Sequence, residues 1–475
     1  MKKRREVYRL KEEILSVGID IGTTTTQLIF SKITVNNIAG PFSIPNVKIT
    51  DKKIIYKSKI YFTPLFSSGK INLEEIKKII DNEYKKACIA KEDVATGAII
   101  ITGETARKEN AEQVLSALSE FSGDFVVATA GVDLESILAG YGSGAAEFSK
   151  NTASKVINFD IGGGTTNTVL FEAGEVVDAF ALDIGGRLIK FDKDCKITYI
   201  SEKILALIKN LKLNLKIGYV PQIHQLKILT NVFADILVKI AKNEELNKDI
   251  EELFIGHKNK KLKAENFMLS GGVSEFVYSD KIINQWKQIV QYGDIGPLLG
   301  CSIRDNFKKN RFKISEPKEK IRATVIGVGS YSMDISGSTV VFDNEILQMK
   351  NIPIIKLSED SRGIINDDII NKINLYEGLN VALAFKGPKS PSYEDIKIIA
   401  ESILDAVKNR NNPVIIIIEN DFAKALGQRI KNILKDSKKL ICIDGIKVEN
   451  GDYVDIGKPI SSVVPVVIKT LIFKN

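Results

Sequence analysis

VGIDIGTTTTQLIF (17–30) and INFDIGGGTTNTVLF (157–171) are two versions of one phrase. Each sets Asp-Ile-Gly-x-x-Thr-Thr between apolar runs of strand type, and the two cores agree at Asp, Ile, Gly and both Thr. In the first copy Ser16–Ile21 reads as a strand, Gly22 permits a tight turn, and Thr25–Ile33 resumes with β-branched, alternating residues. That pattern predicts a hairpin. A P-loop needs a helix after its glycines and a Gly-Lys-Ser/Thr ending, which neither copy has. Two matched copies in one chain predict a duplicated structural unit.

A hairpin tip of this composition can hold phosphate. Glycines let backbone N–H groups approach an anion with no Cβ in the way, and threonine hydroxyls add donors. The leading aspartate repels phosphate but can bind the Mg²⁺ that accompanies a nucleotide. Asp20, Gly22, Thr23 and Thr24, and Asp160, Gly162, Gly163, Gly164 and Thr165, therefore each read as half of a phosphate–metal clamp. A third stretch, NFMLSGGVSEF (266–276), is a predicted strand followed by Gly271, Gly272 and Val273. A glycine pair there would let a flat base or ribose lie on bare backbone.

Composition narrows the class. The chain has 475 residues, too many for one small core, with 44% hydrophobic and 27% charged residues. No apolar run approaches the roughly 20 residues of a membrane helix, and MKKRREVYRLKEEIL (1–15) lacks the apolar stretch of a secretory signal. The four cysteines are scattered, which fits a reduced cytoplasmic setting and neither a zinc site nor a disulfide framework. The net charge of +8 is spread along the chain, so no nucleic-acid partner and no membrane surface is expected.

The order Asp-Ile-Gly-x-x-Thr-Thr, Asp-Ile-Gly-Gly-Gly-Thr-Thr, apolar-x-Gly-Gly-Val resembles the phosphate-1, phosphate-2 and adenosine motifs of the actin/Hsp70/sugar-kinase superfamily. The resemblance implies an α/β fold, two ribonuclease-H-like domains around a nucleotide cleft. It also implies ATP and Mg²⁺ as cofactors, with Asp20 and Asp160 on the metal. Glu135 and Asp160 are then the candidates to orient or activate the attacking water. Two hinge helices are expected, one in DLESILAGYGSGAA (133–146) and one in RATVIGVGSYS (322–332). Propensity alone makes the second a strand, because Thr-Val-Ile is β-branched.

GVDLESILAGYGSGA, DIGGRLIKF, YGDIGPLLG and RATVIGVGSYSMDISGSTV narrow the likeness to the ethanolamine ammonia-lyase reactivating family, from about Leu15 onward. That resemblance implies a chaperone with slow ATPase activity. Its client would be ethanolamine ammonia-lyase, from which it releases damaged cobalamin so that intact adenosylcobalamin enters. Work in or near a bacterial microcompartment is implied too. ITGETARKENA (101–111) also resembles the family, with Gly103, Glu104 and Thr105 facing the cleft. For Arg187 two roles remain, contact with the client or stabilisation of its domain. Homo-oligomerisation is left open. Two other classes stand beside this reading: a small-molecule kinase of the sugar or acetate type, and an actin-like filament protein.

The expected organisation is a charged tail (1–14), domain I (15–150) with an irregular insertion near 40–75, and domain II (151–320) with a helical subdomain near 200–255. A second hinge segment and a C-terminal α/β extension with a parallel sheet fill 321–475. Within these, 308–320 reads as a polar linker, DIGGR (183–187) as a turn or packing site, and Asp452 and Asp455 as turn residues.

Overall fold

In the computed structural model both copies of the repeated phrase are hairpins. The structure describes residues 11–470 except 38–46, 67–69, 104, 106–108, 122–125, 130–131, 247, 256–262, 332–333, 337–339, 361–368, 375–378, 436, 449–451, 458 and 460–462. Glu104, expected at the cleft, lies outside the described residues, as do the first ten residues and the middle of ISGSTV (335–340).

Strands β1 (Lys11–Ile21) and β2 (Thr25–Asn37) pair antiparallel from Lys11↔Asn36 to Ile21↔Thr26. β3 (Val47–Lys57) adds antiparallel to β2, and the two-residue β4 (Tyr61–Phe62) pairs with the hairpin tip. Helix α1 (Leu73–Ala87) precedes β5 (Thr96–Ile101), which lies parallel to β1; α2 (Ala111–Phe121) precedes β6 (Val126–Thr129), parallel to β5. The sheet order is β3-β2-β1-β5-β6. β5 is buried at every position, as a central parallel strand must be. Helix α3 (Val132–Ser143) follows.

The second unit repeats the plan. β7 (Lys155–Ile161) and β8 (Thr166–Glu172) form the hairpin, and β9 (Glu175–Leu182) extends it antiparallel. A small ribbon, β10 (Ile189–Phe191) and β11 (Ile197–Ile200), leads to helix α4 (Ile223–Lys242) and to β12 (Phe254–Ile255) on β9. β13 (Asn266–Ser270) lies parallel to β7, as β5 does to β1, and gives the order β12-β9-β8-β7-β13. Helix α5 (Gly296–Lys309) packs on α4.

Helix α6 (Ala323–Tyr331) crosses α3. The crossing is backbone on backbone: a Cβ on Gly142 would lie 1.8 Å from the Ala323 carbonyl oxygen, and one on Gly327 2.0 Å from that of Leu138. α3, which follows the first sheet in the chain, packs on β8 and β9; α6, which follows the second, packs on β1 and β2. Each lobe is thus held by the helix that leaves the other. Tertiary contact overrides the β-propensity of Thr324-Val325-Ile326 here.

The C-terminal unit is one sheet, β14-β21-β20-β16-β17-β18-β19-β15. Its strands are β14 (Asp334–Ile335), β15 (Val341–Phe342), β16 (Met349–Lys356), β17 (Ala382–Phe385), β18 (Val414–Ile418), β19 (Leu440–Asp444), β20 (Asp452–Ile456) and β21 (Pro465–Thr470). β16 to β19 run parallel, with α7 (Tyr393–Val407) and α8 (Ala423–Leu434) supplying crossovers.

Three local expectations are corrected. The supposed irregular insertion contains β3 and β4; the three prolines of 40–75 fall outside both strands, and DKKIIYK (51–57) alternates between exposed and half-buried as an edge strand does. The supposed linker runs beside β13, in the position of a sixth strand at the edge of the second sheet. There Phe267 N–H donates to Lys313 O at 3.0 Å, and Ser315 N–H to Phe267 O at 2.9 Å. Asp452 and Asp455 sit buried inside β20, not in a turn, because the hairpin β20–β21 pairs through both.

Candidate functional site

The two hairpin tips close with the same hydrogen bond. Gly22 N–H donates to Thr25 O and Gly162 N–H to Thr165 O, both at 2.9 Å. The tips also meet. A Cβ on Gly163 would lie 2.5 Å from Thr24 Oγ1, and one on Gly103 would lie 2.5 Å from Thr23 Oγ1 and 3.9 Å from Thr165 Oγ1. Between them lies a cleft of about 440 Å³, within the usual range for a small-molecule site. Its walls include every residue expected on the nucleotide, the metal or the attacking water: Asp20, Gly22, Thr23, Thr24, Glu135, Asp160, Gly162, Gly163, Gly164, Thr165, Gly271, Gly272 and Val273; of the residues expected to face it, Gly103 lines it and Thr105 does not.

Four carboxylates of this cleft are buried: Asp294, and three that act on one another, Asp20, Asp160 and Glu135. Asp20, at the end of β1, accepts from Thr102 Oγ1 at 2.9 Å. Asp160, in the same place on β7, accepts from Ser270 Oγ at 2.6 Å and Thr324 Oγ1 at 3.4 Å. Glu135, on α3, accepts from Gly103 N–H at 3.1 Å and from Asn167 Nδ2 at 2.7 Å, so it ties the first lobe to the second.

Loss of water pushes all three upward in pKa. Burial raises Asp20 to about 7; Thr102 opposes the rise and the charge of Asp160 adds to it. Burial raises Glu135 to about 8, with Asp20 the next contributor. Burial raises Asp160 to about 6 against its two hydroxyl donors. Carboxylates that repel one another in a dry site are the donor set that a hard cation stabilises.

Among the described residues the cleft lining has five carboxylates (Asp20, Glu135, Asp160, Glu275, Asp294) and one basic side chain, Arg187. A polyphosphate is not compatible with that balance unless a divalent cation comes with it. Among the described residues, the cleft included, no group of three or more His, Cys, Asp or Glu is arranged to hold a metal by itself, so a cation here would take part of its ligands from the phosphates. The residues present therefore fit Mg²⁺ with a nucleotide. The adenosine-motif turn is equally constrained: Gly271 has φ +84°, and a Cβ there would lie 2.3 Å from Ile161 O. At Gly272 the nearest atom to a built Cβ is an Ile321 side-chain carbon at 3.6 Å, which leaves its cleft face bare.

Sequence reasoning missed Thr102, Asn167, Ser270, Thr324 and Asp294. The first four are hydroxyl or amide partners whose positions depend on strand pairing, which leaves no local signal. Asp294 begins an Asp-Ile-Gly of its own, as does DIGGR, and that tripeptide was the usable signal. DIGGR is more than a turn: it stacks on the second tip, with Gly186 N–H donating to Gly162 O at 3.0 Å and Arg187 N–H to Gly163 O at 2.6 Å. Thr105 Oγ1 reaches Gly22 O at 3.2 Å, behind the first tip.

No helix among the described residues is long and apolar enough to cross a membrane. Among solved structures, the Aquifex aeolicus Ppx/GppA family member overlays 66% of this chain and 97% of its own at 15% identity, with a TM-score of 0.41. At that score the strand order above, rather than the overlay, carries the fold assignment. The likeness in sequence is far closer. "Ethanolamine ammonia-lyase reactivase EutA" of Salmonella typhimurium LT2 is 34% identical over 475 residues, covering 98% of this chain and 99% of that protein. Its Escherichia coli K12 counterpart, of the same name, is 34% identical over 479 residues, with 98% and 99% covered. The family described as "Ethanolamine utilisation protein EutA" matches residues 12–474, and the chain belongs to it.

Proposed function

We propose that the chain is an ATP-dependent reactivating factor for adenosylcobalamin-dependent ethanolamine ammonia-lyase, releasing damaged cobalamin so that intact cofactor rebinds. One observation carries this reading: colinear identity of 34% across 98% of the chain with a protein named as that enzyme's reactivase. The cleft supplies an engine for it. Backbone N–H groups and threonine hydroxyls of the two tips hold the phosphates of ATP. Asp20 and Asp160 hold Mg²⁺, which supplies positive charge against the phosphates. Glu135 and Asp160 position the attacking water. The tips belong to separate lobes joined at a helix crossing, so a bound phosphate chain favours one lobe arrangement over another. That becomes work on a client only if the client binds the two arrangements differently. A cytoplasmic setting beside a protein-shelled microcompartment belongs to the same proposal.

The test is direct. Ethanolamine ammonia-lyase inactivated with cyanocobalamin is mixed with the chain, free adenosylcobalamin, ATP and Mg²⁺, and ammonia-lyase turnover is followed. Recovery is expected with the wild type and not with Asp20→Ala or Asp160→Ala. No recovery at all removes the client; recovery in both variants removes the cleft from the mechanism.

A further inference from the structure

Arg187 is the one basic side chain among the described residues lining the cleft. Its backbone is pinned to the second tip at Gly163, and its Cγ and Cδ lie 3.2 and 3.1 Å from where a Gly163 Cβ would stand. Thr24 Oγ1, from the first tip, lies 2.5 Å from that same point. The Thr24 hydroxyl from one lobe and the Arg187 stem, one bond short of Nε, from the other therefore meet at Gly163. Thr24 Oγ1 and Arg187 Nε are both buried, and among the described residues neither has a hydrogen-bond partner. Leaving such groups unsatisfied is costly. Among the described residues the guanidinium has only a long ion pair, Nε to Asp294 Oδ2 at 3.6 Å. Asp294 itself is occupied on its other oxygen, which accepts Gly296 N–H at 2.8 Å at the start of α5.

We propose that Thr24 and Arg187 form the receptor for the terminal phosphate of the bound nucleotide, and that Asp294 holds the guanidinium when that phosphate is absent. The proposal rests on the nucleotide reading above. Neither atom is open to the cleft as the tips stand, so an anion must part the tips slightly to enter the seam; once there it satisfies both orphaned donors, one from each lobe. The arginine then exchanges a loose carboxylate contact for a charge-assisted one of the stronger kind. The site reads the third phosphate in this way, and reports it to α5 through Asp294.

The test is the ratio of ATP to ADP affinity, measured by titration calorimetry on the full chain with Mg²⁺. Arg187→Ala is expected to weaken ATP by roughly tenfold or more, the worth of a hydrogen bond to a charged group, and ADP far less. Arg187→Lys keeps the charge without the planar fork and is expected to recover part of the ratio. It also decides the matter if the alanine variant does not fold. Asp294→Asn frees the guanidinium and is expected to keep or strengthen ATP binding. An unchanged ratio in the Arg187 variants overturns the proposal, as does an Asp294→Asn loss that matches Arg187→Ala, since the pair would then be merely structural. A wild type that binds neither nucleotide removes the reading beneath it as well; binding with an unchanged ratio removes this inference alone.

Discussion

At the scale of residues, the cleft stores a penalty in its carboxylates. In the unfolded chain Asp20, Asp160 and Glu135 ionise near 4; in the cleft burial holds their protons to about 7, about 6 and about 8. Between those values the native state binds more protons than the unfolded one, so stability falls as pH rises. Burial raises Asp294 to about 6 and acts in the same direction. The ligand-free chain is therefore expected to melt several degrees lower at pH 8 than at pH 5. Asp20→Asn with Glu135→Gln should flatten that slope, and Mg²⁺ with ADP should restore most of the loss at pH 8. Thermal melts across the range check it; a wild-type profile that rises with pH, or one unchanged in the double variant, refutes the account.

At the scale of elements, what could be read locally was what local chemistry dictates. The hairpins were legible because alternation, a glycine turn and threonine are all short-range signals. α1 was legible from its period, with Ile76, Ile80 and Tyr84 buried on one face. β18, VIIII and buried throughout, announced a central parallel strand. β3 was not legible because its residues alternate only between exposed and half-buried, with Lys52 on the half-buried side and Ile55 on the exposed one, so no apolar–polar alternation marks the strand. α6 was legible only through likeness to a family, since its own residues favour a strand and only the crossing with α3 makes it a helix. The carboxylate partners at the site were illegible for a related reason: Ser270 meets Asp160 across β13 and β7, a pairing 110 residues apart. The crossing carries its own prediction. Gly142→Ala puts a methyl group onto the Ala323 carbonyl, where backbone rather than a yielding side chain stands in the way. It is expected to cost about 1–3 kcal/mol or more in chemical denaturation and to weaken nucleotide binding in parallel. Wild-type stability in that variant would mean that the helices do not cross at this contact.

At the scale of the whole molecule, the C-terminal sheet is fastened to the first lobe. Val467, on β21, is buried in one cluster with Ile14 and Ile33 of the first hairpin, Ile100 of β5, Leu138 of α3 and Val328 of α6. One side chain of the extension thus shares a core with the first sheet and both crossing helices. Opening of the cleft should carry the extension with the first lobe and leave the second lobe to move against them. The shared cluster makes this testable without a ligand. Val467→Ala removes two methyl groups from a site that cannot easily collapse, an expected loss of about 2 kcal/mol. Because the cluster belongs to both units, the loss should appear in both: hydrogen exchange should quicken in β1, β2 and β5 as well as in β20 and β21, while β7, β8 and β13 keep their protection. Exchange that quickens only in β20 and β21 would mean that the extension rides on the first lobe without being part of its core, and the lobes would then have to be treated as three bodies rather than two.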